Sequence, residues 1–465
     1  MKKLLYVVVA TPLLLANNSR AGDAPLHPQF KLSRQDEDWS VLRAPALRTD
    51  VFDTVKFIPL NRDGSSWLTL GGEVRQRYEY FDNFNWGKGP QDDNGYLLQR
   101  YMIHADAHIG ENFRVFTQFK SGLEDGRNGG PRPTDRDEFD VHQLFADVRV
   151  PFDEKDSLTL RVGRQELSFG TQRLVSVRES PNVRQSFDGA RATLRWNEWQ
   201  FDAFATRPVE TKTGVFDDGP DPHSRFWGFY GVAPFPLLAG GKADFYYLGV
   251  ERDSARFNQG TARELRHSIG TRQWGNHSGW DWNFEFIYQF GTFGDGDISA
   301  WTAASDTGYT FAHAPWTPRL GLKADVTSGD RNPNDKDLQT FNPLFPKGAY
   351  FSETSLIGPQ NHIDVHPGIE LHPTRMVTLN ADVDFFWRES SHDGVYNVGQ
   401  AVVRSDGNGG SSYVGSQTTA QIEWRLQRHL TWTANYAHFF AGAFLHENPP
   451  DKDVNYFSTW ITFRF

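Results

Sequence analysis

Apolar and polar positions alternate along much of this chain, most plainly at its end. In the last nine residues, Phe465, Phe463, Ile461, Thr459 and Phe457 share one face, and Arg464, Thr462, Trp460 and Ser458 share the other. A period of two is that of a β-strand. Upstream, Leu68, Leu70, Val74, Tyr78 and Tyr80 alternate with Glu73, Arg75, Arg77 and Glu79. Tyr101, Ile103, Ala105, Ala107 and Ile109 oppose Arg100, His104, Asp106 and His108. Trp280, Trp282, Phe284, Phe286, Tyr288 and Phe290 alternate with Asp281, Asn283, Glu285 and Gln289. Val377, Leu379, Ala381, Val383, Phe385 and Trp387 alternate with Asn380, Asp382, Asp384 and Arg388, and Leu430, Trp432, Ala434, Tyr436 and Phe440 continue the pattern. Such segments recur about every 22 residues from Trp67 onward, which gives about 18 strands.

Short connections, such as Gly110-Glu111-Asn112 and Asn197-Glu198, contrast with long polar ones at Asn83–Gly95, Glu124–Glu138, Val209–Ser224 and Ser328–Lys347. Short periplasmic turns and long extracellular loops mark an outer-membrane barrel, whose apolar face meets lipid and whose polar face lines the lumen. A soluble sandwich would not expose this many outward Trp and Phe, nor run to so many strands in one sheet. The predicted fold is all-β: a transmembrane antiparallel β-barrel of about 18 strands over residues 67–465.

The N-terminus fits export. Lys2 and Lys3 precede the apolar run Leu4–Leu15, and Ser19-Arg20-Ala21 places small residues at cleavage spacing. Residues 1–21 therefore read as a signal peptide, with Gly22 as the mature start. Residues 22–66 show no long periodic segment and read as a periplasmic lead-in. No later stretch is apolar enough to span as a helix, so insertion must be as a closed barrel. The expected location is the outer membrane of a Gram-negative bacterium, in contact with its lipid. The aromatic end resembles that of outer-membrane proteins generally, which implies that Phe465 is recognised by the barrel assembly machinery during insertion.

Composition sharpens this picture. Mean hydropathy is −0.58 although aromatics reach 14%, as expected of a polar lumen and loops combined with interfacial aromatic girdles. Cysteine is absent, which removes disulfides, thiol chemistry and Cys-ligated metals. The net charge of −10 gives no footing for nucleic acid. Arginine outnumbers lysine 35 to 13. Its planar fork binds both oxygens of a carboxylate.

Three segments carry a family resemblance. One is Leu70-Gly-Gly-Glu-Val-Arg-Gln-Arg-Tyr78, preceded by Lys56-Phe-Ile-Pro-Leu60. The second is Leu160-Arg-Val-Gly-Arg-Gln-Glu-Leu167, continuing to Gly170 and Arg173. The third is Ser328-Gly-Asp330, followed by Thr340-Phe-Asn-Pro-Leu-Phe-Pro346 and Tyr350-Phe351. With the aromatic end, these resemble the alginate export family across essentially the whole mature chain. The resemblance implies an 18-stranded monomeric barrel with an arginine-rich constriction, which in the characterised exporter passes a polyuronate. It argues fold more strongly than substrate.

The leading candidate pathway is a set of lumen arginines. Arg75, Arg77, Arg100, Arg114, Arg161, Arg191, Arg195, Arg388 and Arg425 face inward by parity. Arg164, in the Gly-Arg-Gln motif, falls on the outward side unless a bulge at Gly163 or a rim position turns it. A charged ring selects ions when several groups share one height. The competing reading pairs these arginines with inward acids such as Glu73, Glu79, Asp106, Asp147 and Asp202 to hold the lumen's shape. His104, Asp106 and His108, and likewise His362, Asp364 and His366, share strand faces, but a flat array alone closes a tetrahedral metal site poorly. Asp330, Asn332, Asn334, Asp335 and Asp337 form an oxygen-rich loop, a weak Ca²⁺ candidate without EF-hand spacing. No local motif joins a nucleophile to His and an orienting partner, so neither an enzyme nor a cofactor is expected. The expected function is passage of an anionic polysaccharide, an alginate-like polyuronate, through an Arg-lined lumen. Diffusion or uptake of small anionic solutes is the alternative.

Overall fold

A computed structural model describes residues 28–406 and 410–465. The expected signal peptide lies outside them. Among the described residues, eighteen antiparallel strands close into one barrel. They are β1 Trp67–Asp82, β2 Tyr96–Ile109, β3 Phe113–Asp125, β4 Asp137–Pro151, β5 Ser157–Gln165 and β6 Phe187–Trp196. Next come β7 Trp199–Glu210, β8 Ser224–Pro234, β9 Gly241–Phe257, β10 Gly260–His277, β11 Trp280–Phe293 and β12 Gly296–Thr310. The last six are β13 Arg319–Thr327, β14 His362–Thr374, β15 Val377–Trp387, β16 Tyr413–Gln427, β17 Leu430–Ala441 and β18 Val454–Arg464. Each pairs with the next, and β18 returns to β1 from Glu73↔Arg464 to Asp82↔Asn455, which closes the barrel.

The predicted alternation sets which face is inside. On β1, Glu73, Arg75, Arg77 and Glu79 are buried, and on β2 so are Arg100, His104 and Asp106. Ile103, Val162, Phe229, Phe245, Ile269, Phe286, Leu320 and Val365 are exposed on the opposite, lipid-facing side. Exposed Phe113, Trp196, Trp199, Trp280 and Trp424 sit at or near strand ends beside short turns. That placement is the aromatic girdle of a membrane interface. At Gly163, with φ +129°, an added Cβ would lie 2.2 Å from the Leu144 carbonyl oxygen. Only glycine lets β5 approach β4 so closely there.

Two departures from the expected loop pattern matter. The connections β9–β10 and β10–β11 are tight at both ends of the barrel, as is β11–β12. In contrast, the segment opened by Ser328 continues to Asn361, and segment 166–186 between β5 and β6 is also long. Both fold into the barrel. The Phe345 N–H donates to the Leu174 carbonyl at 2.8 Å, and the Lys347 N–H to the Gln172 carbonyl at 3.1 Å. An apolar cluster fills the lumen where they meet the wall: Leu167, Phe169, Leu174 and Val175 from one segment, Phe341, Leu344 and Phe345 from the other, against Phe187, Phe226, Tyr246 and Ile287.

Residues 28–66 contain only short helical turns and a two-residue strand, yet they dock in the short-turn mouth. Arg34 donates to the carbonyls of Gly72 (3.0 Å) and Phe465 (2.9 Å). The Gln143 amide donates to Gln35 at 3.0 Å, and Arg114 to the Gln35 carbonyl at 2.6 Å. Phe465 also pairs with Gly72 through its backbone and packs on Phe52, ring centroids 5.2 Å apart. The end of the chain is thus anchored in the finished barrel.

Candidate functional site

The lumen narrows where segments 166–186 and 328–361 cross β1 and β2. Arg75 donates to the carbonyls of Glu179 (3.0 Å), Ser180 (3.2 Å) and Pro181 (3.0 Å). Arg100 donates to Glu73 at 2.9 Å and also bonds the Glu179 carboxylate. Arg77 spans Glu79 (2.6 Å), Glu353 (2.8 Å) and the Tyr456 hydroxyl (2.9 Å), and lies over the Trp460 ring. These three arginines clamp the inserted segments to the wall. A cavity of about 210 Å³ remains between Arg75, Arg77, Lys347, Glu353 and Trp460.

Two cations here lack a carboxylate partner among the described residues. Arg75 meets only carbonyls, and Lys347 forms no ion pair. Burial, with Lys323 and Arg173 adding repulsion, pushes the Lys347 ammonium down to about 8; Asp325 and Asp306 oppose that shift. Desolvated cations with spare donors favour an entering anion.

Toward the short turns the lumen widens to a vestibule of about 710 Å³. Its wall carries Arg114, Arg161, Arg191 and Arg195 from the candidate set, and Arg149 beside them. Arg114 grips Asp106 with two bonds of 2.7 Å, Arg161 grips Asp147 at 2.7 and 2.8 Å, and Arg191 bonds Asp202 at 2.8 Å. Arg195 and Arg149 have no ion pair among the described residues. At the vestibule's inner end, burial alone would raise the Glu166 carboxyl, but Arg184 and the His142 hydrogen bond hold it at about 2.

Three candidate arginines stand elsewhere. Arg164 pairs with Asp188 at 2.9 and 3.0 Å and donates to the Val141 carbonyl, where β4 runs on without β5 beside it. Arg388 lies just past β15 and gathers the carbonyls of Ser391, Asp393, Asp406 and Ser411. Arg425 is exposed near the short turns, 3.7 Å from Glu423. These three do not join the narrowing.

The other candidates are also placed. Asp106 is occupied by Arg114, and His108 stacks on Trp67, 4.2 Å away. In the oxygen-rich loop, Asp330 accepts from the Asn332 N–H, Asp335 from the Asp337 N–H, and Asn332 from the Asn334 N–H. Its oxygens turn the backbone rather than converge. His362, Asp364 and His366 gain neighbours from β13 and β15 that a single strand lacks. The clamp residues Glu179 and Glu353 escaped sequence reading because no periodicity marks them.

The alginate export family model matches residues 66–458. The chain belongs to the alginate export family. Among curated proteins, none matches it. Solved Pseudomonas aeruginosa porins share the fold. OpdO aligns with TM-score 0.58 and 11% identity, covering 86% of this chain and 97% of its own. OccD3 (OpdP) gives 0.57 and 12%, covering 86% and 91%. OccK2 (OpdF), in complex with glucuronate, gives 0.58 and 10%, covering 88% and 99%. This alginate export family member is therefore an outer-membrane barrel channel of a Gram-negative bacterium. Its short-turn end is periplasmic by the rule for such barrels.

Proposed function

We propose that this channel passes small carboxylate-bearing solutes by diffusion, rather than a polyuronate chain. The observation that carries this reading is the pair of segments crossing the lumen, bonded to each other and clamped by Arg75, Arg77 and Arg100. A polymer would need both segments to leave together. A single uronate-sized anion needs only local side-chain movement beside Arg75 and Lys347. The glucuronate in the OccK2 complex is a ligand of that size and charge. One barrel is the working unit, since the whole path lies in one lumen. Residues 28–66 act as a periplasmic plug that solute passes around, through the vestibule.

Swelling of proteoliposomes loaded with an impermeant polymer separates the two readings. Glucuronate should enter at least several-fold faster than uncharged glucose, and a polyuronate should not enter. Ready passage of the polyuronate through the unmodified barrel would favour the export reading instead.

A further inference from the structure

Acids on most of the lumen wall are matched by arginines, but those on β13 to β15 are matched mainly by each other and by two histidines. Asp325 and Asp364 are direct cross-strand partners. His362 Nε2 lies 3.1 Å from Asp364 Oδ1. His366 lies with Nε2 3.1 Å from Asp382 Oδ1 and Nδ1 3.2 Å from Asp384 Oδ2. The nearby cations are Arg173, which bonds Asp325, and Lys323 and Lys347, which line the same small cavity. None of them is paired with Asp364, Asp382 or Asp384.

Ligand atoms of Asp364, His366 and Asp384 all lie within 4.8 Å of one another. Small side-chain rotations would bring them to the ~2.1 Å bonds of a metal ion. A second feature points into the same space. Asp384 is 1% exposed; its Oδ1 has no hydrogen-bond partner among the described residues, and its Oδ2 has only the His366 ring 3.2 Å away. Leaving a buried carboxylate oxygen unmatched is costly. A cavity of about 100 Å³ lined by Asp364 and His366 gives an entry path.

We propose that Asp364, His366 and Asp384 bind a divalent transition-metal ion, with zinc(II) the best match. One imidazole nitrogen and two carboxylate oxygens suit zinc with a fourth position open. Calcium prefers a larger, all-oxygen set. Asp382 stands behind His366 and orients its ring, as second partners of ligating histidines do. The open position faces the lumen cavity, where water or a solute carboxylate would complete the shell. Two added positive charges would offset this acidic wall and make the lumen more favourable to anions. That consequence rests on the proposed anion passage; the metal site itself does not.

The test uses the full barrel, tag-free, folded in detergent, stripped with chelator and dialysed against zinc alone or calcium alone. Metal is then counted by mass spectrometry. The wild type should retain about one zinc per barrel and no stoichiometric calcium. His366→Ala and Asp384→Asn should each weaken zinc retention at least tenfold, whereas Asp330→Asn in the 328–361 segment should not. Heat-modifiable gel mobility reports whether each variant folds, and His366→Gln supplies a volume-matched alternative. No stoichiometric zinc on the folded wild type, or unchanged retention in the folded His366 and Asp384 variants, overturns the site. Zinc binding without a shift toward anions in reversal potential would leave the site standing and count against the anion-passage reading.

Discussion

The two sides of the lumen handle charge differently. On β1 to β6, arginines meet carboxylates or carbonyls one by one: Arg100 with Glu73, Arg77 with Glu79, Arg114 with Asp106, Arg161 with Asp147 and Arg191 with Asp202. On β13 to β15, Asp325, Asp364, Asp382 and Asp384 crowd around two histidines. A count of inward arginines therefore overstates the positive field, because most are neutralised where they stand. Lumen cations left without a carboxylate partner among the described residues include Arg75 and Lys347 at the narrowing and Arg149 and Arg195 in the vestibule. Under the proposed anion passage, these and the acidic cluster of β13 to β15 are the charges a solute would meet.

The largest effect should come from removing what the early wall holds. Replacing residues 171–182 with a short Gly-Ser linker should raise single-channel conductance several-fold in planar bilayers. Unchanged conductance would mean that these residues do not gate the path. Next, Arg100→Ala removes one of the arginines on Glu73 and on Glu179 but leaves Arg464 on the first and Arg184 on the second. The loss should therefore fall below the ~3–5 kcal/mol of a buried charge left with no partner. Thermal unfolding should start earlier, and limited proteolysis should reach segment 166–186. A smaller effect tests the leftover cation at the narrowing. The Lys347 ammonium, lowered to about 8, is charged below that pH and loses its proton as pH rises through it. Anion selectivity should accordingly fall between about pH 7 and 9, and Lys347→Met should flatten that slope. Smallest of all, Arg425→Ala should change stability by no more than about 0.5 kcal/mol, as for other exposed surface sites.

Strand identity and facing were legible because lipid on one side and water on the other impose a strict period of two. Parity also named the residues that meet: Arg100 and Glu73, or Arg161 and Asp147, come from inward positions on adjacent strands. Height along the barrel was not legible, nor were partners supplied by loops. Arg388 shares parity with Asp384, yet it sits beyond the strand and ties down a loop. Arg164 depends on where β5 stops and leaves β4 unpaired, which no periodicity encodes. The inward course of segments 166–186 and 328–361 was hidden because polar, Pro- and Gly-bearing loop sequence reads alike whether it projects outward or folds into a lumen. Similarly, His362, Asp364 and His366 looked too flat for a metal until β13 and β15 supplied Asp325 and Asp384 from the sides.

The most direct test of anion passage through the narrowing is the reversal potential across a planar bilayer in a KCl gradient, at pH 7 and moderate salt so that lumen fields are not screened away. The wild type should show net chloride preference, and Arg75→Ala combined with Lys347→Met should abolish most of it while the barrel stays folded. Potassium preference in the wild type, or chloride preference unchanged in the double variant, would contradict the account.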